Sequence, residues 1–275
     1  MRIVVLGAGG SHKTETSIVR AARKLGHQCR LVNVVGYLRY GGNWSGRLVR
    51  YLTDSYQPDF LLLTRHAIEL GELSIRRLLQ GRQAVFWYFD YEPKSIVVDL
   101  GRLVGRMYVT CISQIDAYRA AGVDVVKFLP QGVDPEQDRP AADAPKAFQC
   151  DVSFVGSGHS TYRYDVLRAV AAVGRLQIRG PGWDGAPGDL SPAGGPVYGR
   201  QLAQVIRGAA ISLGANAYPA QDREPFSVSN RMWKVLGCGG FFLGRRVEGI
   251  ESFATEGEHA AWYSSPADAA ELTHH

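Results

Sequence analysis

Residues 223–243 read REPFSVSNRMWKVLGCGGFFL, and the way this stretch divides decides the fold. The spacing predicts a loop through Pro225, then a helix from about Asn230 to Gly237. Gly239 and Gly240 stop the helix, and Phe241-Phe242-Leu243 reads as a buried strand. Ser229 is placed as the N-cap. Arg231 and Lys234 are three apart, so they share a face, and no acid accompanies them on the helix. With both cations read into the first turn, each costs about 0.3–1 kcal/mol against the helix dipole. An anion held by the free backbone N–H groups and the two side chains reverses that cost. The residues predict either a phosphate site or two solvated basic residues on an exposed turn.

Outward from this stretch, the second half of the chain reads as a β-α-β series. Cys150–Val155 is a strand, Gly156-Ser157-Gly158 its glycine loop, and a helix follows Arg163. Leu176–Arg179 is the next strand, closed by Gly180-Pro181-Gly182-Trp183. A helix to about Gly208 and a strand at 210–213 lead back to the opening stretch. Residues 135–146 are rich in Pro, Ala and Asp without apolar periodicity, and read as a linker.

The first half repeats the theme. Arg2–Leu6 is a strand, GAGGSHKTET a glycine loop, and a helical pattern ends at Gly26 before a second strand over 29–35. This β-loop-α-β start is Rossmann-like. Gly7 and Gly9 fit G-x-G-x-x-G, but His12 holds the third position; Gly7, Lys13 and Thr14 fit a P-loop, and His12 again replaces the glycine. Dinucleotide and ATP binding are therefore disfavoured. His12 is either a substrate contact or a solvated loop residue. The aromatics of 36–57 either line an acceptor or pack locally. Strands at 60–64 and 84–89 end at His66 and at Asp90-Tyr91-Glu92. Loops after the carboxyl ends of parallel strands are where such sheets bind ligands. His66 is thus placed as a site residue or a structural histidine. Asp90 and Glu92 are placed as a general base, an acceptor ligand or an acidic metal pair.

Composition bounds the rest. The 275 residues carry 45% hydrophobic side chains and a formal net charge of +5, which is enough for two ordinary domains with real cores. The mild basicity lacks the Lys/Arg blocks of a nucleic-acid tail and suits anionic small molecules or an acidic membrane surface. The four scattered cysteines indicate neither a zinc site nor a disulfide framework. With no signal-like start and no apolar run near 18 residues, a cytoplasmic protein is expected.

Two stretches carry a resemblance. Glu224-Pro225-Phe226, then Ser229-Asn230-Arg231, a short helix with Lys234, and Gly-Gly before an apolar strand resemble the donor site of GT-B glycosyltransferases, in particular the CgeB-like group. Residues 108–134 end in Leu-Pro-Gln-Gly-Val-Asp, similar to the Pro-Asn-Gly-Val-Asp that closes the first half of that fold. Phe154-Val-Gly-Ser with Arg163, and Gly-x-Gly-Trp183, resemble the CgeB-like pattern again. The resemblance implies an α/β GT-B fold: an acceptor domain over 1–134, a linker over 135–146 and a nucleotide-sugar domain over 147–275, facing across a cleft. It implies sugar transfer from a nucleoside-diphosphate sugar (UDP, GDP or dTDP) to a small-molecule, glycan or lipid-linked acceptor, with no further cofactor and no metal. Donor contacts are then expected from Gly156, Ser157, Arg163, Gly180, Trp183, Glu224, Ser229, Asn230, Arg231 and Lys234. Met232 stands where the second acid of a Glu-x7-Glu pair would be, so the usual ribose contact does not carry over. A sugar-nucleotide epimerase and a non-catalytic sugar-nucleotide sensor are the alternatives.

Overall fold

The computed structural model describes residues 1–90, 94–216, 229–247 and 249–274, the side chain of Asn43 excepted. The chain divides into two compact units, Met1–Pro130 and Gln131–His275. In the first lie β1 (Arg2–Gly7), α1 (Thr14–Lys24), β2 (Gln28–Asn33), α2 (Val34–Gly41), α3 (Ser45–Tyr56), β3 (Phe60–Thr64), α4 (Glu72–Leu79), β4 (Gln83–Tyr88), α5 (Ser95–Val104), β5 (Arg106–Val109), α6 (Ile115–Ala120) and β6 (Val125–Phe128). The strands form one parallel sheet in the order β2-β1-β3-β4-β5-β6. Its core is the continuous apolar set expected of a sheet covered on both faces, with Leu61, Leu63, Phe86, Met107 and Tyr118 among the most deeply buried.

The second unit holds β7 (Cys150–Val155), α7 (Tyr164–Ala171), β8 (Leu176–Arg179), α8 (Gly199–Gly208), β9 (Ala209–Leu213), α9 (Asn230–Gly237), β10 (Phe242–Arg245), β11 (Ala260–Tyr263) and α10 (Pro266–His274). Its sheet is parallel, in the order β11-β10-β9-β7-β8. The chain runs from β7 to β8 on one side and then returns to place β9 on the other side of β7. That reversal is the topological switch point, where open α/β sheets hold ligands outside the strands' carboxyl ends.

One sequence expectation changes, and two features lie beyond what the sequence was read to show. The second strand stops at Asn33, because the Asn33 side chain accepts from the Gly36 amide at 3.1 Å and caps α2 in place of further strand. Residues 135–146 group with the second unit, and within them Asp138 is buried, only 4% exposed, among neighbours that are mostly exposed. Polar, proline-rich composition resembles a linker whether or not the segment finds a surface. β11 had no strand-like period in the sequence, since Ala-Ala-Trp-Tyr is too short to show one.

Glu15 is the polar residue that ties the first unit together. It is 3% exposed, and its carboxylate accepts from the Ala8 amide at 3.2 Å and from the Thr64 hydroxyl at 2.9 Å. Thr64→Val keeps the shape and removes the hydroxyl. A hydrogen bond to a charged group contributes about 1.5–3 kcal/mol, so urea unfolding of this variant is expected to show a stability lower by about that amount. An unchanged midpoint would mean that Glu15 is satisfied without Thr64.

Candidate donor site

The strand ends of the second unit bring two arginines to one aromatic ring. Phe154 is wholly buried in β7. The Cζ atoms of Arg163 and Arg231 lie 5.7 and 4.7 Å from its ring centroid, a cation–π arrangement. Both guanidinium groups donate to the same carbonyl, Ala215 just beyond β9: Arg163 Nε at 3.2 Å and Arg231 Nη1 at 3.4 Å. Arg163 also donates to the Ser157 carbonyl and, at 3.2 Å, to the Ser157 hydroxyl. Arg231 Nε donates to the Val155 carbonyl at 2.8 Å. Every hydrogen-bond partner of both groups among the described residues is a neutral oxygen.

The electrostatics follow from that geometry. Burial pulls both guanidinium groups below their usual pKa, and Arg231 falls to about 10, with the charge of Arg163 adding to the effect. Arg163 is 8% exposed, whereas Arg231 is deeply set yet keeps accessible surface. Two adjacent cations in a low-dielectric setting, with no carboxylate partner among the described residues, repel each other, and an anion between them would relieve that cost.

The surrounding loops are shaped around this pair. A Cβ on Gly156 would sit 2.6 Å from Arg231 Nη2. Gly180 has φ +140°, and a Cβ there would lie 2.1 Å from the Gly156 carbonyl oxygen, so only glycine lets the two strand-end loops meet. The Gly156 amide donates to Arg179 O at 2.9 Å, and the Gly156 carbonyl accepts from Trp183 Nε1 at 3.0 Å. Trp183 is 4% exposed, packed on Phe154 and Tyr164. Gly156, Gly180 and Trp183 therefore hold the loop in place, and the polar side chains they frame are Ser157, Arg163 and Arg231.

Helix α9 spans the predicted residues. The Ser229 hydroxyl caps it by accepting from the Arg231 amide at 3.3 Å, and Asn230 is its first residue. Lys234 needs correction. The helix is so short that Lys234 lies in its last turn, where a cation is favourable. Its ammonium is 3.1 Å from the carboxylate of buried Asp138. The dipole penalty falls on Arg231 alone. Asp138 went unnoticed in the sequence because it lies in the segment read as linker, and Phe154 because an aromatic in a strand gives no sign of carrying cations. Glu224 lies outside the described residues.

In the first unit, His12, His66 and Asp90 follow β1, β3 and β4, adjacent strands of one parallel sheet, so they share its carboxyl edge. Asp90 forms an ion pair with Arg65. Burial alone would lower the Arg65 pKa, but the hydrogen bond and charge of Asp90 outweigh it and the net shift is upward. His66 Nδ1 is 3.3 Å from Glu69 Oε1. His12 lies in the turn before α1 and is partly exposed. Glu92 lies outside the described residues. The glycine loop here is occupied by the protein itself: Ala8 donates to Glu15 and Gly9 to Asn33 Oδ1 at 2.9 Å. A carboxylate thus stands beside the helix start that a dinucleotide phosphate would need.

Arg231 and Lys234 should respond oppositely to removal. Arg231→Met is expected to leave the ligand-free protein within about 1 kcal/mol of wild type, since it removes an uncompensated charge, while abolishing the thermal shift given by nucleoside diphosphates. Lys234→Met leaves Asp138 buried and unpaired, and should lower stability by about 1.5–3 kcal/mol. Loss of about 3–5 kcal/mol in Arg231→Met, with the diphosphate shift intact, would make Arg231 a structural residue.

Comparison with known proteins bears on the fold and on the second half of the chain. Residues 163–275 match the family described as glycosyl transferase-like, not the CgeB-like group by name. No curated protein matches the chain in sequence. Among solved structures, Anabaena Alr3699/HepE in complex with UDP-glucose is similar at TM-score 0.65 and 12% identity, over 99% of this chain and 88% of that one. A glycosyltransferase from Rickettsia africae is similar at 0.61 and 11%, over 98% and 86%. The α,α-trehalose 6-phosphate synthase of Burkholderia multivorans is similar at 0.59 and 11%, over 99% and 87%. Residues 163–275 thus carry the glycosyl transferase-like pattern, and the chain as a whole has the fold of these structures, two parallel-sheet α/β units of the GT-B type.

Proposed function

We propose that this protein transfers a sugar from a nucleoside-diphosphate sugar to an acceptor hydroxyl, with the donor on the second unit and the acceptor on the first. The observation that carries this is the Arg163–Arg231 pair at the switch point, hydrogen-bonded only to neutral oxygens among the described residues. A diphosphate supplies two neighbouring negative charges and acceptor oxygens for the guanidinium forks. A uridine nucleotide is the first candidate, because HepE is a solved structure of similar fold holding UDP-glucose. The acceptor is a small molecule, a glycan or a lipid-linked sugar. A thermal-shift panel of UDP, GDP, dTDP and ADP tests the donor reading directly; no shift with any of them would end it.

Developing charge on the leaving diphosphate falls where the two guanidinium groups stand, and such preorganised stabilisation is commonly the largest catalytic term. No metal is required for that task. Activity is expected to survive excess EDTA, and abolition with recovery on adding Mn2+ or Mg2+ would overturn the assignment.

Deprotonation of the acceptor needs a protein base if the anomeric configuration inverts. Asp90 is the first candidate, at the carboxyl end of β4, followed by Glu92, His66 and His12. Its pairing with Arg65 orients the carboxylate. For an inverting enzyme, Asp90→Asn should lower kcat by about 10²–10⁴-fold with donor affinity unchanged. NMR of the product anomer accompanies the kinetics: an inverted product with an unimpaired variant removes Asp90 from the mechanism, and a retained product removes the need for any protein base.

A further inference from the structure

Helix α3 is buried on its inner face and carries exposed aromatic side chains along its outer one. Ser45, Val49 and Thr53 are buried at helical spacing. A surface helix is ordinarily polar on the opposite side. Here Trp44, immediately before the helix, Leu48 and Tyr51 are 68%, 39% and 69% exposed, and Arg47 is exposed among them. Positions 44, 47, 48 and 51 follow the i, i+3, i+4, i+7 spacing of a single stripe. Tyr40, near the end of α2, is 84% exposed. A lone exposed apolar residue needs no explanation, but a stripe of them does.

The charge beside the stripe narrows what can cover it. Arg47 lies over the Trp44 ring at 4.9 Å and Arg39 over the Tyr40 ring at 5.8 Å. Neither has a carboxylate partner among the described residues, whereas Arg50 on the same helix is bridged to Asp54 at 3.2 Å. Aromatic rings that keep company with unpaired guanidinium groups suit the interface of a bilayer. Trp and Tyr sit at headgroup level, arginine stems lie along apolar surface while their heads reach outward, and the heads meet lipid phosphates. A neutral glycan would stack on the rings and leave the arginines unmatched. No helix among the described residues is long and apolar enough to cross a membrane, so such contact would be peripheral.

We infer that the stripe Trp44–Arg47–Leu48–Tyr51, with Arg39 and Tyr40, docks the protein on an anionic phospholipid surface. The test is sedimentation of the full chain with vesicles of phosphatidylglycerol and phosphatidylcholine, against vesicles of phosphatidylcholine alone. Binding is expected to the anionic vesicles only and to weaken with added salt. The double variant Arg39→Gln/Arg47→Gln and the triple variant Trp44→Ser/Leu48→Ser/Tyr51→Ser should each weaken it by about tenfold or more. Their thermal unfolding should match wild type, because the altered side chains are exposed. Quenching of tryptophan fluorescence by brominated lipid should fall in Trp44→Phe. No sedimentation at low salt, or equal binding by wild type and both variants, overturns the proposal. So does stripe-dependent dimerisation, or protection of Trp44 by a soluble oligosaccharide, in the absence of vesicle binding.

Discussion

Two guanidinium groups share one aromatic ring and one backbone carbonyl, and the rest of the second unit is arranged to permit it. Like charges this close, in a setting that lowers both their pKa values, are an unfavourable feature for a protein that binds nothing. Phe154 supplies an electron-rich face, the carbonyls of Val155, Ser157 and Ala215 accept their N–H groups, and Gly156 yields the volume of a Cβ. Neutral oxygens satisfy hydrogen-bond donors but do not cancel charge. Among the described residues the arrangement has no net negative partner, and the carboxyl edge of a parallel sheet at its switch point is where a ligand would bring one.

The two glycine loops show why loop composition alone misleads. Both follow the first strand of their sheet, and both carry the spacing that suggests a phosphate cradle. In the first, Glu15 and Asn33 take the amides of Ala8 and Gly9, so the protein's own groups fill the cradle. In the second, the amides of Gly156 and Gly158 donate to the Arg179 and Pro181 carbonyls of the neighbouring loop. In both loops the protein's own oxygens take the amides, and the loops differ in the side chains that converge on them, Glu15 in one case and Arg163 with Arg231 in the other.

Much of the fold was legible in the sequence because apolar-rich segments are bounded by glycine loops and helical patterns. Phe60–Thr64, Cys150–Val155 and Leu176–Arg179 appear with the ends read from the sequence, as does helix 230–237 with its serine cap. Misreadings arose where a tertiary contact decides a local question. Asn33 turns a strand into a helix by capping it. Asp138 is indistinguishable from a linker residue until the surface beneath it is known. Lys234 looked like a first-turn cation although the helix ends were read as they stand, because in a helix of eight residues, Asn230–Gly237, it already lies in the last turn. The partners of Arg231 come from residues 155 and 215, a convergence that no linear spacing encodes.

The division of labour between Arg231 and Lys234 follows from the chemistry of the two cations. A guanidinium is planar, carries five donors and is weakly hydrated, so it can lie over the Phe154 ring, bond two carbonyls and still present an edge to a ligand. An ammonium is compact and strongly hydrated, and it is best met by a single carboxylate. Lys234 has that carboxylate in Asp138, which in turn accepts from the Asp134 amide at 3.0 Å. That pair fastens the last turn of α9 to the start of the second unit. With its last turn held there and its first turn capped by Ser229, the helix has little freedom to rotate, and rotation is what would swing Arg231 away from Phe154. Lys234, paired with Asp138, thus holds the end of the helix whose first turn carries Arg231.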